Sequence, residues 1–133
     1  MADSSLAKKL QIKPGSRVFL VNAPPGYNAL LAPLPDGVEL VSAGEADVVH
    51  LFARSRAEVR AQLPGVRAAL KPGGVLWISW PKTTAGVETD LTRDVLWQDL
   101  EPEGLRPVSA VSIDAVWSAL RFRPIDEVKP RSG

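Results

Sequence analysis

The sequence predicts an α/β domain with a mostly parallel sheet, helices on both faces and a C-terminal antiparallel hairpin. Three observations predict it. Short runs of apolar residues, at Arg17 to Asn22, Asp47 to Ala53 and Val75 to Trp80, read as strands buried on both faces. Segments with helical signals alternate with them, as a parallel sheet requires. Two β-rich runs, Arg106 to Ile113 and Val116 to Phe122, are joined by a tight connection, which points to antiparallel neighbours. With 133 residues, 45% of them hydrophobic and 23% charged, residues 1–133 make one domain, its core spanning about 13–123 between polar ends.

Taken in order, residues 1–13 form a polar lead-in with a short helix at Ser5–Leu10, and Lys13-Pro14-Gly15-Ser16 turns into the first strand. Ala23-Pro24-Pro25-Gly26 breaks that strand, and Tyr27 to Ala32 has room for one or two helical turns. Val38 to Val41 is a short strand, and Ser42 to Ala46 a loop. Ser55 and Glu58 fit a capping box, each satisfying the other's amide. Val59, Leu63, Val66 and Leu70 then follow at helical spacing, with a kink or restart expected at Pro64. Lys71-Pro72-Gly73-Gly74 stops that helix before the strand Val75 to Trp80. Asp90 is the expected cap of a helix reaching Leu100, with Leu91 and Val95 inward and Asp94 complementing its dipole. Gly104 ends that helix, and the tail from Pro124 is polar.

Composition excludes several function classes. Sixteen basic against 15 acidic residues leave a charge of +1, which is no nucleic-acid footprint. Without cysteine there is no disulfide, thiolate chemistry or Cys-ligated metal, and one histidine, His50, rules out a His-rich metal site. The N-terminus lacks a signal-peptide layout, and no apolar run approaches a bilayer span, so a cytoplasmic protein without membrane contact is expected. No Gly-x-Ser-x-Gly elbow, Walker A pattern or His-Glu-x-x-His is present.

Right-handed crossovers would place the loops after Asn22, Phe52 and Trp80 on the carboxyl edge of the sheet, where open α/β sheets bind ligands. The candidate ligand-binding residues are therefore Asn22, Pro24, Gly26, Arg54, Trp80, Lys82, Asp114 and Trp117. Asn22 either points into the crevice or caps its own turn. Pro81 holds Trp80 extended, so Lys82 either reaches over the crevice towards an anion or lays its stem on Trp80. Asp114 would pair with Lys82 if the next strand ends opposite it. Trp117 either stacks on a planar or cationic ligand or fills the core, since four tryptophans in one domain must mostly be buried. Arg54 is placed to meet an anion. His50, inside an apolar strand, reads as a satisfied core or sheet-surface group. The acidic run from Glu88 to Glu103 reads as a solvated face and not a metal site.

Lys13-Pro14-Gly15-Ser16-Arg17-Val18, Asp47-Val48-Val49-His50-Leu51-Phe52 and Leu70-Lys71-Pro72-Gly73-Gly74-Val75-Leu76 resemble segments of class I S-adenosylmethionine-dependent methyltransferase domains, a Rossmann-like architecture. The resemblance covers most of residues 13–122 as topology. It implies a Gly-rich turn after the first strand and an acid ending the second, which holds the cofactor's ribose. Here those places hold Asn22-Ala23-Pro24-Pro25-Gly26 and Val41-Ser42, with Glu45 the nearest acid, and the chain is short of one strand–helix unit. A second resemblance, spanning nearly the whole chain, is to a family of small bacterial proteins known as a domain of unknown function. It rests on Lys13-Pro14-Gly15, Asn22-Ala23-Pro24, Trp80-Pro81-Lys82, Thr89-Asp90-Leu91-Thr92, Asp114, Trp117-Ser118 and Leu120-Arg121-Phe122, and implies no established activity. The combined expectation is a reduced methyltransferase-like protein, non-catalytic or degenerate and without a cofactor, that binds a small ligand or a protein partner. The alternative is a divergent S-adenosylmethionine-dependent methyltransferase. A homodimer built on exposed aromatics is a third reading.

Overall fold

The computed structural model describes residues 9–24, 26–27, 31, 34–41, 44–82, 86, 88–114 and 116–124. Strand β1 is Arg17–Val21, β2 Glu39–Val41, β3 Ala46–Phe52, β4 Leu70–Pro81, β5 Leu105–Ser112 and β6 Trp117–Pro124, while helices α1 and α2 are Arg56–Ala69 and Arg93–Leu100. The six strands form one sheet in the order β2-β1-β3-β4-β6-β5. The first four run parallel, and β6 lies antiparallel between β4 and β5. β5 therefore points the same way as β4, and the β5–β6 turn falls on the carboxyl edge. The expected helices at Ser5–Leu10 and Tyr27–Ala32, Pro25, Ser42 and the tail beyond Pro124 lie wholly or largely outside the described residues.

Alternation along the strands divides the core in two. Val49 and Leu51 of β3, with Leu76, Ile78 and Trp80 of β4, meet Val59, Leu63 and Val66 of α1 and Leu96 and Leu100 of α2. On the other face, Val48 and Phe52 of β3 and Trp77 of β4 meet Leu10, Ile12, Tyr27 and Leu31. Trp77 fastens that layer by donating its indole N–H to the Leu10 carbonyl at 3.0 Å.

Four local expectations are corrected. β4 begins at Leu70, not Val75, because Leu70 already pairs with Ala46. The register then shifts before Val48 meets Val75. The intervening chain bulges out through Gly73 at φ 77°. At Gly74 a Cβ would sit 2.9 Å from the Lys71 carbonyl oxygen and 3.0 Å from that of Asp47, so glycine is required there. The restart offered at Pro64 does not occur, since helix α1 continues through that exposed residue, held by buried residues on both sides of it. The capping box closes one residue early. Ser55 Oγ accepts from the Glu58 amide at 3.1 Å, but Glu58 Oε1 accepts from Arg54 N at 2.6 Å. Finally, Thr92 and not Asp90 caps α2, accepting from Val95 N at 3.1 Å, while Asp90 accepts from Arg56 N at the start of α1.

The acidic run is also more engaged than a solvated face. Asp99 forms a paired contact with the Arg56 guanidinium at 2.8 Å, and Glu101 meets Arg106 at 3.2 Å.

Candidate functional site

The carboxyl ends of β1, β3, β4 and β5 deliver Asn22, Arg54, Lys82 and Asp114 to one edge, as the alternating topology predicts. β1 stops at Asn22 because that residue turns left-handed, at φ 59°. Asparagine tolerates this conformation better than any larger residue, so it does here what a glycine does in a tight turn. Pro24 continues the turn, its carbonyl accepting from Tyr27 N at 3.1 Å, and Gly26 is also left-handed, at φ 84°.

Beneath the edge lies a column of rings. The Arg54 guanidinium carbon sits 5.6 Å from the centroid of Trp117. Trp117 meets Phe52 edge to face at 5.2 Å. Phe52 stacks on His50 at 4.2 Å, and Tyr27 presents its edge to both. The spacing has a simple origin, since residues 50 and 52 leave β3 on one side and Arg54 follows two residues beyond its end.

His50 is buried and bonded at both ring nitrogens. Nδ1 shares a hydrogen bond with the Tyr27 hydroxyl at 2.8 Å, and Nε2 one with the Ser79 hydroxyl at 2.5 Å. In the neutral imidazole one nitrogen donates and the other accepts, so both bonds are met without a charge. Burial pushes the His50 pKa down to about 3, and burial, with the Asp114 charge nearby, pushes the Tyr27 hydroxyl up from its ordinary value. Both groups are thus neutral near pH 7, and the histidine is far from the poise of a general base. It is the satisfied core group that its apolar strand suggests.

The structure places Lys82 and Asp114 on the same edge but gives them different partners. Asp114 Oδ1 accepts from Val116 N and Trp117 N, both at 2.8 Å, and so fixes the β5–β6 turn and the direction of Trp117. Lys82 Nζ donates to Ser112 Oγ at 2.7 Å, and the Lys82 amide to the Val116 carbonyl, also at 2.7 Å. No ion pair joins Lys82 to Asp114 among the described residues. Trp80 turns to the helix face and packs in that core, away from Arg54 and Trp117. Trp97, at 41%, is the exposed tryptophan; Trp77, Trp80 and Trp117 are buried.

Thr89, not singled out as a site residue, joins the site by donating its hydroxyl to the Arg54 carbonyl at 2.6 Å. It is part of the Thr89-Asp90-Leu91-Thr92 motif, which was the available signal. An open cleft of about 460 Å³ lies between Arg54, Ser55, Glu88, Thr89 and Asp90. The described residues contain no group of His, Asp or Glu able to hold a metal, and no helix long and apolar enough to cross a membrane.

No protein-family model and no curated protein sequence matches the chain. Solved structures do. The chain is similar to DhpI in complex with SAH, with a TM-score of 0.63 at 16% identity over 92% of this chain and 83% of that one. It is similar to Aeropyrum pernix fibrillarin with natively bound S-adenosyl-L-methionine, with a TM-score of 0.58 at 12% identity over 84% and 68%. It is also similar to the N-methyltransferase NodS from Bradyrhizobium japonicum, with a TM-score of 0.53 at 15% identity over 90% and 89%. The fold is that of the Rossmann-like methyltransferases.

Proposed function

We propose that the protein is a non-catalytic, methyltransferase-like module that binds a small anion-bearing molecule at the carboxyl edge, against Arg54 and the Thr89 loop. The engagement of the edge's ionisable groups supports this reading above all. Asp114 is spent on two backbone amides, Lys82 on Ser112, and His50 is sealed in a neutral chain. Asp114 Oδ1 is held by the turn, Lys82 Nζ by Ser112, and neither ring nitrogen of His50 is open to an acceptor substrate. The Arg54 guanidinium is exposed and lies over the Trp117 ring, beside a shallow, open cleft that a small anion can enter. The residues also do not fit S-adenosylmethionine in its usual mode. Pro24 lacks an amide to donate in the turn after β1, and β2 ends at Val41 without an acid for the ribose.

A divergent S-adenosylmethionine-dependent methyltransferase is the second reading, favoured by the likeness to structures that hold SAH or S-adenosylmethionine. One experiment separates the two. Thermal unfolding is followed with S-adenosylmethionine, SAH and a panel of small aromatic carboxylates, each at about 1 mM, since a ligand of the folded state must raise its stability. The expected result is a shift with a carboxylate that Arg54→Ala removes, and no shift or methyl transfer with S-adenosylmethionine. Methyl transfer to any acceptor at ordinary turnover would overturn the proposal.

A further inference from the structure

The opposite edge of the sheet carries a second feature, which the carboxyl-edge reading does not use. Two turns of the same composition, Lys13-Pro14-Gly15 before β1 and Lys71-Pro72-Gly73 at the start of β4, come together there. They bound an open cleft of about 520 Å³, within the size range of small-molecule sites. Arg121 of β6 forms another part of its wall.

The charges around this cleft do not balance. Among the described residues, Lys13, Lys71 and Arg121 line it against the single carboxylate of Asp47. Asp47 is itself committed, accepting from Arg17 N at 2.8 Å and pairing with Lys71 Nζ at 3.1 Å. Those contacts hold its pKa below the usual carboxylate value, so it stays ionised and neutralises one cation of the three.

Arg121 is the least satisfied of them. Its Nη1 donates to Gln11 Oε1 at 3.1 Å, yet its Nε is shut off from solvent with no hydrogen-bond partner. An anion in the cleft would meet the other guanidinium nitrogens and offset the charge of this poorly satisfied group, without bonding the buried Nε itself. Gln11, which holds the guanidinium in place, does so from a left-handed backbone at φ 64°. A non-glycine residue in that conformation is a strained one, and such strain collects where side chains are positioned for a task. Burial and the neighbouring Arg123 charge both press the Arg121 pKa down, the same tension seen as electrostatics.

The geometry points to a binding site for a phosphate-type oxyanion in this amino-edge cleft, held by Lys13, Lys71 and Arg121. Two uncompensated positive charges match a dianion. Lysine and arginine together supply the point charge and the planar donor that phosphate recognition uses. The bulge through Gly73 and Gly74 takes Lys71 out of register with β3, at the rim of the cleft.

Calorimetric titration of the full chain tests this, using inorganic phosphate, pyrophosphate and adenosine monophosphate at matched ionic strength. Saturable binding is expected. Lys13→Ala, an exposed change that leaves the fold intact, should weaken it about tenfold, the usual effect of losing one charge-assisted contact. Asp47→Asn should tighten it, because the competing carboxylate charge goes while the acceptor oxygen for Arg17 N stays. Preference for phosphate and pyrophosphate assigns a free oxyanion. Tighter binding of adenosine monophosphate assigns a phosphate carried on a larger body. Binding that Arg54→Ala abolishes would place the anion at the carboxyl edge and overturn this site. Absence of saturable binding by any of the three, or binding indifferent to Lys13→Ala and Asp47→Asn, overturns it.

Discussion

The two edges of the parallel sheet treat their polar groups in opposite ways. At the carboxyl edge, Asp114 closes on Val116 N and Trp117 N, Lys82 on Ser112, and His50 on Tyr27 and Ser79. At the amino edge, among the described residues, three cations face one committed carboxylate and Arg121 Nε has no hydrogen-bond partner. The first edge is where an open α/β sheet is expected to bind, yet most of its chemistry is turned inward. The second is where such a sheet is usually only turned round, yet its charges are left over. Position in a fold and chemical availability are separate properties, and a site has to be argued from the second.

The contrast can be broken most sharply with acid. The unfolded chain's imidazole takes up a proton near pH 6.5, whereas His50 in the native protein stays neutral down to about pH 3. Between those values the native state binds fewer protons than the unfolded one. Stability is therefore full above pH 6.5 and falls as the pH drops, by up to about 1.4 kcal/mol per unit. Urea unfolding between about pH 7 and pH 5 measures this slope above the range in which carboxylates titrate. A flat profile would show that the chain under the carboxyl edge is not closed around a neutral ring.

Next in size are two backbone tests, one on each edge. Gly74→Ala forces a Cβ against two carbonyl oxygens and the Leu70 side chain, and should cost about 1–3 kcal/mol by overpacking. Asp114→Ala removes the acceptor of two amides and should cost about 1–2 kcal/mol, much of which Asp114→Asn restores. Chemical denaturation ranks them. An inconsequential Asp114→Ala would mean that its carboxylate is available after all, and would reopen the carboxyl edge to acid–base chemistry. The smallest expected effect is that of Arg54→Ala, about 0.5–1 kcal/mol for an exposed cation on a ring. A larger loss in the unliganded protein would make Arg54 a structural clamp and weaken its assignment to a ligand.

The legible parts of this protein were those whose cause is local. β3 announces itself as a continuous apolar run, and α1 by Ser55 and the spacing of Val59, Leu63 and Val66. His50 could be read as a core group because an apolar strand leaves a lone imidazole little else to be. Asp90 could not be read correctly. It has the composition of a helix cap, but the amide it serves, Arg56 N, belongs to the other helix. The start of β4 was equally hidden, because only pairing with Ala46 makes Leu70 a strand residue after a helix. At the site, the topology was enough to place Lys82 and Asp114 on one edge. Their partners depended on the turn geometry between β5 and β6, which the residue types alone do not fix. The amino-edge cleft was the least visible, since Gln11 and Arg121 meet from near opposite ends of the chain.

The passage from Val41 to Ala46 leaves no room for a strand and helix between β2 and β3, so β2 borders the sheet with only three residues, and Leu40 is 41% exposed. A border this short offers few free amides to a stray chain and guards itself by brevity. It also makes the domain extensible. A further parallel strand laid beside β2 would cover Leu40 and leave the registers of β1, β3 and β4 as they are. The junction after Val41 is thus the natural grafting point of this architecture, where a designer or a genome can lengthen the protein without reopening its core.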